Sequence, residues 1–240
     1  MDSTSLLSRF SSLFSPIFIL SPSRKPKFSD FDHVRRADYF AHSVDAKART
    51  FWSHQVDSDY SAASGKAGVG VVFSGRCPFL SLRDVTLRFA DDALRHHYLV
   101  VEATIDDYSL FIHVVYAPVT VPKRKRFLTA LPSNFPFDAH HLVLGDFNIP
   151  MGPVMDKVTA YPHNLGRAEF RDWLLRLGVL DAWRSAHPGR REFTGPGRRN
   201  RIDYCFVSPS LFDHYLRDVR HVTDARYGHE DHLHVRFLLH

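Results

Sequence analysis

The chain has 240 residues, of which 44% are hydrophobic and 13% aromatic, so it can bury a sizeable core and is not disordered as a whole. Its 31 basic and 26 acidic side chains give a net charge of +5, which favours polyanionic partners such as nucleic acid. The two cysteines, Cys77 and Cys205, are far apart, which argues against a disulfide framework or a zinc ribbon and favours a reducing, nuclear or cytoplasmic compartment. No run of about 18 apolar residues occurs, so neither a membrane-spanning helix nor a membrane partner is predicted.

Residues 1–30 differ from the rest of the chain because they are rich in serine and proline. We expect them to form a disordered or unrelated leader, and residues 31–240 to form a single domain, since no repeat or linker divides that stretch. A targeting segment is the alternative for the leader, because basic residues flank its apolar run at 13–20, although prolines interrupt that run and no cleavage pattern follows it.

After the leader, the apolar pattern indicates strands with a few helices between them. Residues 31–66 are mostly polar and are predicted to be irregular, with short strands at 39–40 and 50–52. Strands are predicted at 68–73, 98–105, 110–116, 142–144, 202–207, 219–222 and 233–239, and helices at 122–131 and 168–177. The turn at Asp106-Asp107 indicates a hairpin, the run from Lys123 to Arg126 is typical of a solvated helix face, and Gly178 stops the second helix. This order predicts an α/β (α+β) fold of layered sheets with helices outside.

The strand at 142–144 ends abruptly in Gly145-Asp146-Phe147-Asn148. A buried strand that ends this way delivers a carboxylate and an amide to the edge of a sheet, and both groups suit phosphoester hydrolysis. A plain turn is the alternative interpretation, so this motif needs support from the rest of the chain.

Two later motifs add a carboxylate and an imidazole. Asp203 lies at the start of a strand, where it can orient an imidazole and stabilise its protonated form, or form a salt bridge with Arg201. Asp231-His232, in a polar loop before the last strand, offers an acid and a base at adjacent positions. His232 and His234 share a strand face, which makes a zinc site an alternative, but without nearby cysteines the carboxylate oxygens favour Mg²⁺.

Four motifs in this order resemble the endonuclease/exonuclease/phosphatase superfamily: Tyr116-Ala117-Pro118, Gly145 to Asn148, Arg201 to Tyr204, and Asp231-His232. The resemblance covers residues 50–240 and is closest to the endonuclease domain of LINE-type (non-LTR) retrotransposons, with apurinic endonucleases and DNase I-like enzymes as broader relatives. It implies a DNase I-like, four-layer sandwich of two packed mixed β-sheets flanked by helices. It also implies Mg²⁺-dependent phosphodiester hydrolysis of DNA, with Mn²⁺ as a substitute metal.

The resemblance assigns a role to each matching residue. Asp146 would position or deprotonate the attacking water, and Asn148 would donate a hydrogen bond to a phosphate oxygen. His232, oriented by Asp203, would stabilise the charge that develops on the phosphate or act as an acid and base. Tyr116 would contact the phosphate or assist the leaving oxygen.

Further residues would hold the metal and the substrate. By the same resemblance, Asp231 and Asp146 would hold Mg²⁺, and Thr194, Arg199 and Arg201 would bind substrate phosphates. The basic clusters at 123–126 and 190–201 favour DNA as an extended substrate. No signal for an obligate protein partner is present.

One part of the superfamily pattern is missing. Members carry an upstream Asn that ends the first strand and a Glu that ends the second, and this Glu is a principal metal ligand. The chain contains only Glu102, Glu169, Glu192 and Glu230, so no glutamate precedes residue 102. We therefore expect the first one or two strands of the fold to be lacking, and the loss of a metal ligand to impair activity.

Three alternatives stay open at this point. A substitute metal ligand such as Asp38 or Asp45 would leave the domain intact. A small-molecule phosphoesterase of the same superfamily would fit the same core motifs. A non-catalytic nucleic-acid-binding remnant would bind DNA in a salt-dependent manner without cleaving it.

Overall fold

The computed structural model describes residues 17–20, 31–53, 68–91, 94, 96–159, 165–222 and 232–239. The strands are β1 (Ile17–Leu20), β2 (Arg49–Trp52), β3 (Gly70–Phe73), β4 (Leu80–Asp84), β5 (Tyr98–Ile105), β6 (Tyr108–Tyr116), β7 (His140–Asp146), β8 (Leu180–Asp181), β9 (Asp203–Val207), β10 (Leu216–Val222) and β11 (His234–Leu239). The helices are α1 (Phe31–Val44), α2 (Thr86–Phe89), α3 (Val121–Ala130), α4 (Arg167–Leu177), α5 (Ala182–Ala186) and α6 (Pro209–His214), with a 3₁₀ turn at Pro196–Arg198. Within these ranges, no helix has the length and apolar character needed to span a membrane.

A six-stranded mixed sheet with the order β4-β5-β6-β7-β9-β8 forms the centre of the molecule. β6 and β7 are parallel, with α3 between them in sequence, and the other neighbours are antiparallel. The central strands are buried on both faces, so their sequences read as nearly continuous apolar runs. This explains why β9 buries both alternating sets of its side chains.

The two faces of this sheet pack against different layers. One face packs on residues of β3, β10 and β11, and the other packs on α3 and α4 through residues such as Phe127 and Trp173. The indole Nε1–H of Trp173 donates a hydrogen bond of 2.8 Å to the carbonyl oxygen of Pro132, which satisfies its buried polar atom. α4 ends at Gly178, whose φ of 63° is the left-handed conformation that glycine adopts at low cost.

The second sheet layer consists of a three-stranded sheet, β1-β3-β2, and the antiparallel pair β10-β11. Its outer face is covered by α1, whose Ala37 and Ala41 are buried together with Val72. The order of layers is therefore helix, sheet, sheet, helix. This confirms the predicted four-layer architecture.

The structure differs from the sequence prediction in two N-terminal segments. Residues 39–40, predicted as a strand, lie within α1, because alanines spaced four apart give this segment an apolar helical face. Residues 17–20, predicted to belong to a leader, form β1, which pairs with the whole length of β3. Pairing with β1 gives both edges of β3 a neighbouring strand, since β2 pairs with the other edge.

Candidate active site at the carboxyl end of β7

Three strands bring polar side chains to one edge of the central sheet. Tyr116, the last residue of β6, pairs with Asp146, the last residue of β7, and Asp146 pairs with Asp203, the first residue of β9. Adjacent strands lie about 4.8 Å apart, so these three residues form a row at the sheet edge. The pairing of the strands therefore places Tyr116, Asp146 and Asp203 side by side.

The Gly-Asp-Phe-Asn motif forms a tight turn that presents Asp146. Gly145 has a φ of 148°, and a Cβ at this position would lie 1.9 Å from the carbonyl oxygen of Val115, so the close approach of β6 and β7 requires glycine here. Asn148 has a φ of 51°, and its backbone N–H donates to the Asp146 carboxylate at 2.8 Å. A non-glycine residue in the left-handed region is uncommon, and such residues are concentrated at functional sites.

Asn148 also ties this turn to the end of β6. Its side-chain Nδ2 donates to the carbonyl oxygen of Ala117 at 2.8 Å, and the Ala117 N–H donates to the carbonyl oxygen of Asp146 at 2.8 Å. An amide nitrogen has two N–H bonds. Asn148 therefore keeps one donor for a second partner while its orientation is fixed.

Asp203 and His232 form a hydrogen-bonded pair beside this row. The imidazole Nδ1 of His232 lies 2.9 Å from a carboxylate oxygen of Asp203, and both side chains are largely buried. An Nδ1–H that donates to a carboxylate orients the ring and stabilises its protonated form. The predicted acid–histidine pair is therefore present.

Thr194 holds the two segments that carry this pair. Its hydroxyl accepts hydrogen bonds from the backbone N–H groups of Ile202 and Asp203, each at 3.1 Å, and its carbonyl oxygen accepts one from Leu233 at 2.7 Å. Thr194 is fully buried. The prediction that it binds substrate is therefore wrong, because its buried hydroxyl is occupied by the backbone of Ile202 and Asp203.

The Asp146 carboxyl lies in an unusual electrostatic environment. It is buried, and this burial, together with the charge of Asp203, raises its pKa to about 7, while His232 and Arg124 act in the opposite direction. The phenol of Tyr116 responds in the same sense, since burial and then the charge of Asp146 raise its pKa. Two carboxyls in one partly desolvated space repel each other, as is typical of sites that bind a cation or exchange protons.

The same groups could hold a metal ion. One ligand atom each from Asp146, Asp203 and His232 lie within 4.8 Å of one another. Residues 223–231, which include the predicted ligand Asp231, lie outside the described residues, as does the side chain of His234 on which the zinc alternative depends.

Arg201, predicted to bind substrate phosphate, has a different role in the structure. It is 1% exposed, and its guanidinium donates hydrogen bonds to the carboxylates of Asp156 and Asp181. It also lies over the rings of Trp183 and Tyr204, with 5.1 and 4.5 Å between its Cζ and the ring centroids. The prediction is therefore wrong, because two carboxylates and two aromatic faces enclose the guanidinium and keep it from a substrate.

The proposed substitute ligands, Asp38 and Asp45, are occupied elsewhere. The Asp38 carboxylate accepts a hydrogen bond from the Thr50 hydroxyl, and that of Asp45 accepts bonds from the loop at 74–75 and from the backbone N–H of Lys47. Neither belongs to the candidate metal group of Asp146. Among the described residues, both carboxylates stabilise the segments around them through these hydrogen bonds.

Arg124 is a site residue that the sequence pattern did not reveal. The run from Lys123 to Arg126 was predicted to be a solvated helix face, but Arg124 is 5% exposed while its two neighbours and Arg126 are exposed. It lies three and four positions before Phe127 and Leu128, which are buried on the same helix face, so helical periodicity was the available signal. Arg199, in contrast, is exposed as a phosphate-binding residue requires.

No family model matches the sequence. The fold is similar to a 3'-5' exonuclease (NExo) from Neisseria meningitidis, with 22% identity, a TM-score of 0.66 and coverage of 97% of this chain and 92% of that chain. It is also similar to a Neisseria 3' phosphatase bound to product DNA hairpin (21% identity, TM-score 0.62, 94% and 89% coverage) and to an AP endonuclease from Archaeoglobus fulgidus (16% identity, TM-score 0.62, 93% and 88% coverage). These neighbours are members of the endonuclease/exonuclease/phosphatase superfamily, and the six-stranded mixed sheet flanked by helices matches their DNase I-like fold.

Proposed function

We propose that this chain is a divalent-metal-dependent phosphodiesterase that acts on DNA, of the endonuclease type found in LINE-type retrotransposons, with a weakened metal site. One observation carries the proposal: the hydrogen-bonded pair of Asp203 and His232 lies beside the buried Asp146 carboxyl. The order of the four motifs supports the retroelement origin, and the DNase I-like fold is consistent with it.

The residues present fit a hard divalent cation. Burial and the charge of Asp203 raise the pKa of Asp146. The positive charges among the described side chains around Asp146 therefore do not fully balance its negative charge when it is ionised. Carboxylate oxygens are preferred ligands of Mg²⁺. Asp146 would hold the ion together with Asp231, and Mn²⁺ would replace Mg²⁺. When bound, such an ion neutralises charge on the phosphate oxygens.

The other steps of phosphodiester hydrolysis are assigned to side chains of the candidate site. Asp146, whose carboxylate is held by the backbone N–H of Asn148, orients the attacking water and accepts its proton. Asp203 holds the His232 ring so that the imidazole faces the scissile phosphate and stabilises its developing charge. Asn148 donates its remaining N–H to a phosphate oxygen, and Tyr116, which stays protonated because its pKa is raised, donates its O–H on the leaving side.

DNA is favoured as the substrate by the loop between α5 and β9. Arg190, Arg191 and Arg199 in this loop are exposed, and the same loop contains Thr194, which anchors Asp203 and Leu233. Several exposed arginines in one loop next to a phosphodiester site suit a polymer with repeated phosphates better than a single phosphoester.

The metal site is expected to be weak because no described glutamate is placed to act as a ligand beside Asp146. Glu102, Glu169 and Glu192 each form an ion pair away from Asp146, with Arg83, Lys125 and Arg190 respectively. Glu230 lies outside the described residues. Because no glutamate precedes residue 102, the ion would be held by fewer carboxylates than in the superfamily pattern.

The test compares cleavage of supercoiled plasmid DNA with hydrolysis of a small phosphodiester in the presence of Mg²⁺. We expect nicking of the plasmid that is lost in Asp146→Asn and His232→Ala, and little turnover of the small ester. His214→Ala is the matched control, because His214 is exposed on α6. Preferred turnover of the small ester would favour the phosphoesterase alternative, and nicking that persists in both site variants would exclude the proposed centre.

A further inference from the structure

Arg124 stands apart from the other basic residues of α3. Lys123, Lys125 and Arg126 are exposed, whereas Arg124 is 5% exposed and interacts electrostatically with the Asp146 carboxyl. Long cationic side chains are seldom fully buried without a paired charge or hydrogen-bond partners. The position of Arg124 therefore needs an explanation beyond helix formation.

The guanidinium of Arg124 holds the loop that follows Tyr116. Its Nη1 donates to the carbonyl oxygen of Val119 at 2.9 Å and lies 3.5 Å from that of Pro118. The other side of the same loop is held by Asn148, which donates to Ala117. The loop is thus fixed between α3 and the Gly-Asp-Phe-Asn turn.

This arrangement is not explained by hydrogen bonding alone. The Nε of Arg124 is buried and has no hydrogen-bond partner among the described residues. A buried donor without a partner costs free energy, so a chain that needed only a loop anchor would be served by a smaller polar side chain. What distinguishes arginine is its permanent positive charge, and the carboxyl of Asp146 is close enough to interact with it.

We propose that Arg124 is a positioning residue of the Asp146 site, which fixes the 117–119 loop through the Val119 carbonyl and balances the negative charge of the site with its guanidinium. It acts through Asn148 and Tyr116, because the loop connects it to both residues. The test has two arms. The first measures DNA cleavage and rests on the proposed function, whereas the second measures the structure of the loop and does not.

The activity arm uses two substitutions of Arg124, with Arg126 as the matched control on the same helix. Arg124→Met removes both the charge and the hydrogen bond, and Arg124→Gln keeps a donor for the Val119 carbonyl but removes the charge. We expect each to lower kcat for plasmid nicking by about tenfold or more with little change in KM, since loss of one charge-assisted interaction corresponds to such a factor. Arg126→Met and Arg126→Gln should act on KM rather than on kcat, because Arg126 is exposed and belongs to the basic cluster at 123–126, which would contact only the DNA backbone.

The structural arm uses NMR signals of the metal-free protein. Arg124→Met should shift the side-chain amide signal of Asn148 and accelerate hydrogen exchange of the Ala117 amide, whereas Arg126→Met should change neither. If the wild-type chain does not cleave DNA but these signals respond to Arg124, the proposed function fails and the positioning role stands. If a folded Arg124→Met leaves both signals as they are in Arg126→Met, or if Arg124→Gln equals Arg126→Gln in kcat in an active chain, the inference is overturned.

Discussion

The burial of Asp146 opposes its proposed role, because burial favours the neutral carboxyl whereas metal binding needs the ionised carboxylate. Asp146 is 6% exposed, its carboxyl accepts a hydrogen bond from the Asn148 backbone N–H, and its neighbour Asp203 is also acidic. The folded chain therefore holds a proton on Asp146 up to a pH of about 7, whereas the ordinary value is 3.8. Stability is lost when that proton leaves a buried carboxyl.

This environment predicts a pH-dependent stability in the absence of metal. Because the folded-state pKa of Asp146 is raised, its contribution to stability is fully present below pH 3.8 and is lost as the pH rises to about 7. In EDTA at pH 8, Asp146→Asn should melt several degrees above the wild type, since 1 kcal/mol corresponds to about 2–4 °C for a chain of this size. The measurement is thermal unfolding by circular dichroism between pH 4 and 8.

The control for this prediction is Asp172→Asn, because Asp172 is exposed and pairs with Arg176 only on the surface of α4. Its melting temperature should follow that of the wild type at every pH. If Asp146→Asn is less stable than the wild type at pH 8, then the carboxylate is compensated by groups that the described residues do not include.

At the scale of elements, the entry into β9 is held by a buried ion cluster. Arg201 bonds Asp156, from the loop after Asn148, and Asp181, at the end of β8, and Asp156 also accepts a bond from Arg184 at 2.8 Å. Asp203 follows Arg201 by two residues. The cluster therefore fixes the segment that places Asp203 next to His232.

Breaking this cluster should be costly. Arg201→Met leaves Asp156 and Asp181 with fewer partners in a buried setting, and removal of one member of a buried ion pair costs about 3–5 kcal/mol. The free energy of unfolding in urea measures this loss. Arg176→Met, which removes an exposed ion pair on α4, should change it by less than about 1 kcal/mol. Equal effects of the two substitutions would show that the Arg201 cluster is not a stabilising element.

The central elements were predictable because their patterns are local. The hairpin of β5 and β6, the strand ending at Asp146 and the helix ending at Gly178 each combine an apolar period with a turn or cap residue. These features need no knowledge of distant contacts. The pairing of Asp203 with His232 was instead implied by the resemblance to the superfamily, since the two residues are 29 positions apart, and Asp203 lies in the central sheet whereas His232 precedes β11 of another sheet.

Other features depended on packing that the sequence does not display. Arg201 reads as a phosphate ligand beside Asp203, and only the positions of Asp156 and Asp181, far away in sequence, show that its donors are used. β1 has a strand-favouring sequence, Ile-Phe-Ile-Leu, but the serine- and proline-rich segment around it hides this signal, and its pairing with β3 is visible only in the fold. Thr194 likewise acts through backbone groups brought together by the fold.

At the scale of the whole molecule, the positive charge should act on DNA mainly through the loop between α5 and β9. Arg199→Ala should weaken DNA binding and reduce the slope of log K against log salt by about one, since one phosphate contact is lost. Arg217→Ala is the control, because Arg217 is exposed at the start of β10. The candidate site lies near the other end of this strand, where Val222 pairs with His234, two residues after His232. Fluorescence anisotropy at several salt concentrations measures both slopes, and equal slopes for the two variants would argue against a DNA-binding loop.

The proposed hydrolysis of DNA phosphodiesters at Asp146 and His232 uses a weakly held metal ion, so the rate of cleavage must depend on Mg²⁺. The most direct measurement is the rate of plasmid nicking by the full chain as Mg²⁺ is titrated from EDTA-containing buffer into the millimolar range, with His232→Ala alongside. We expect no nicking in EDTA, a nicking rate that keeps rising with Mg²⁺, and no nicking by the variant. Intact plasmid at every Mg²⁺ and Mn²⁺ concentration, under conditions in which the folded protein binds DNA, would contradict it and identify a non-catalytic DNA-binding domain.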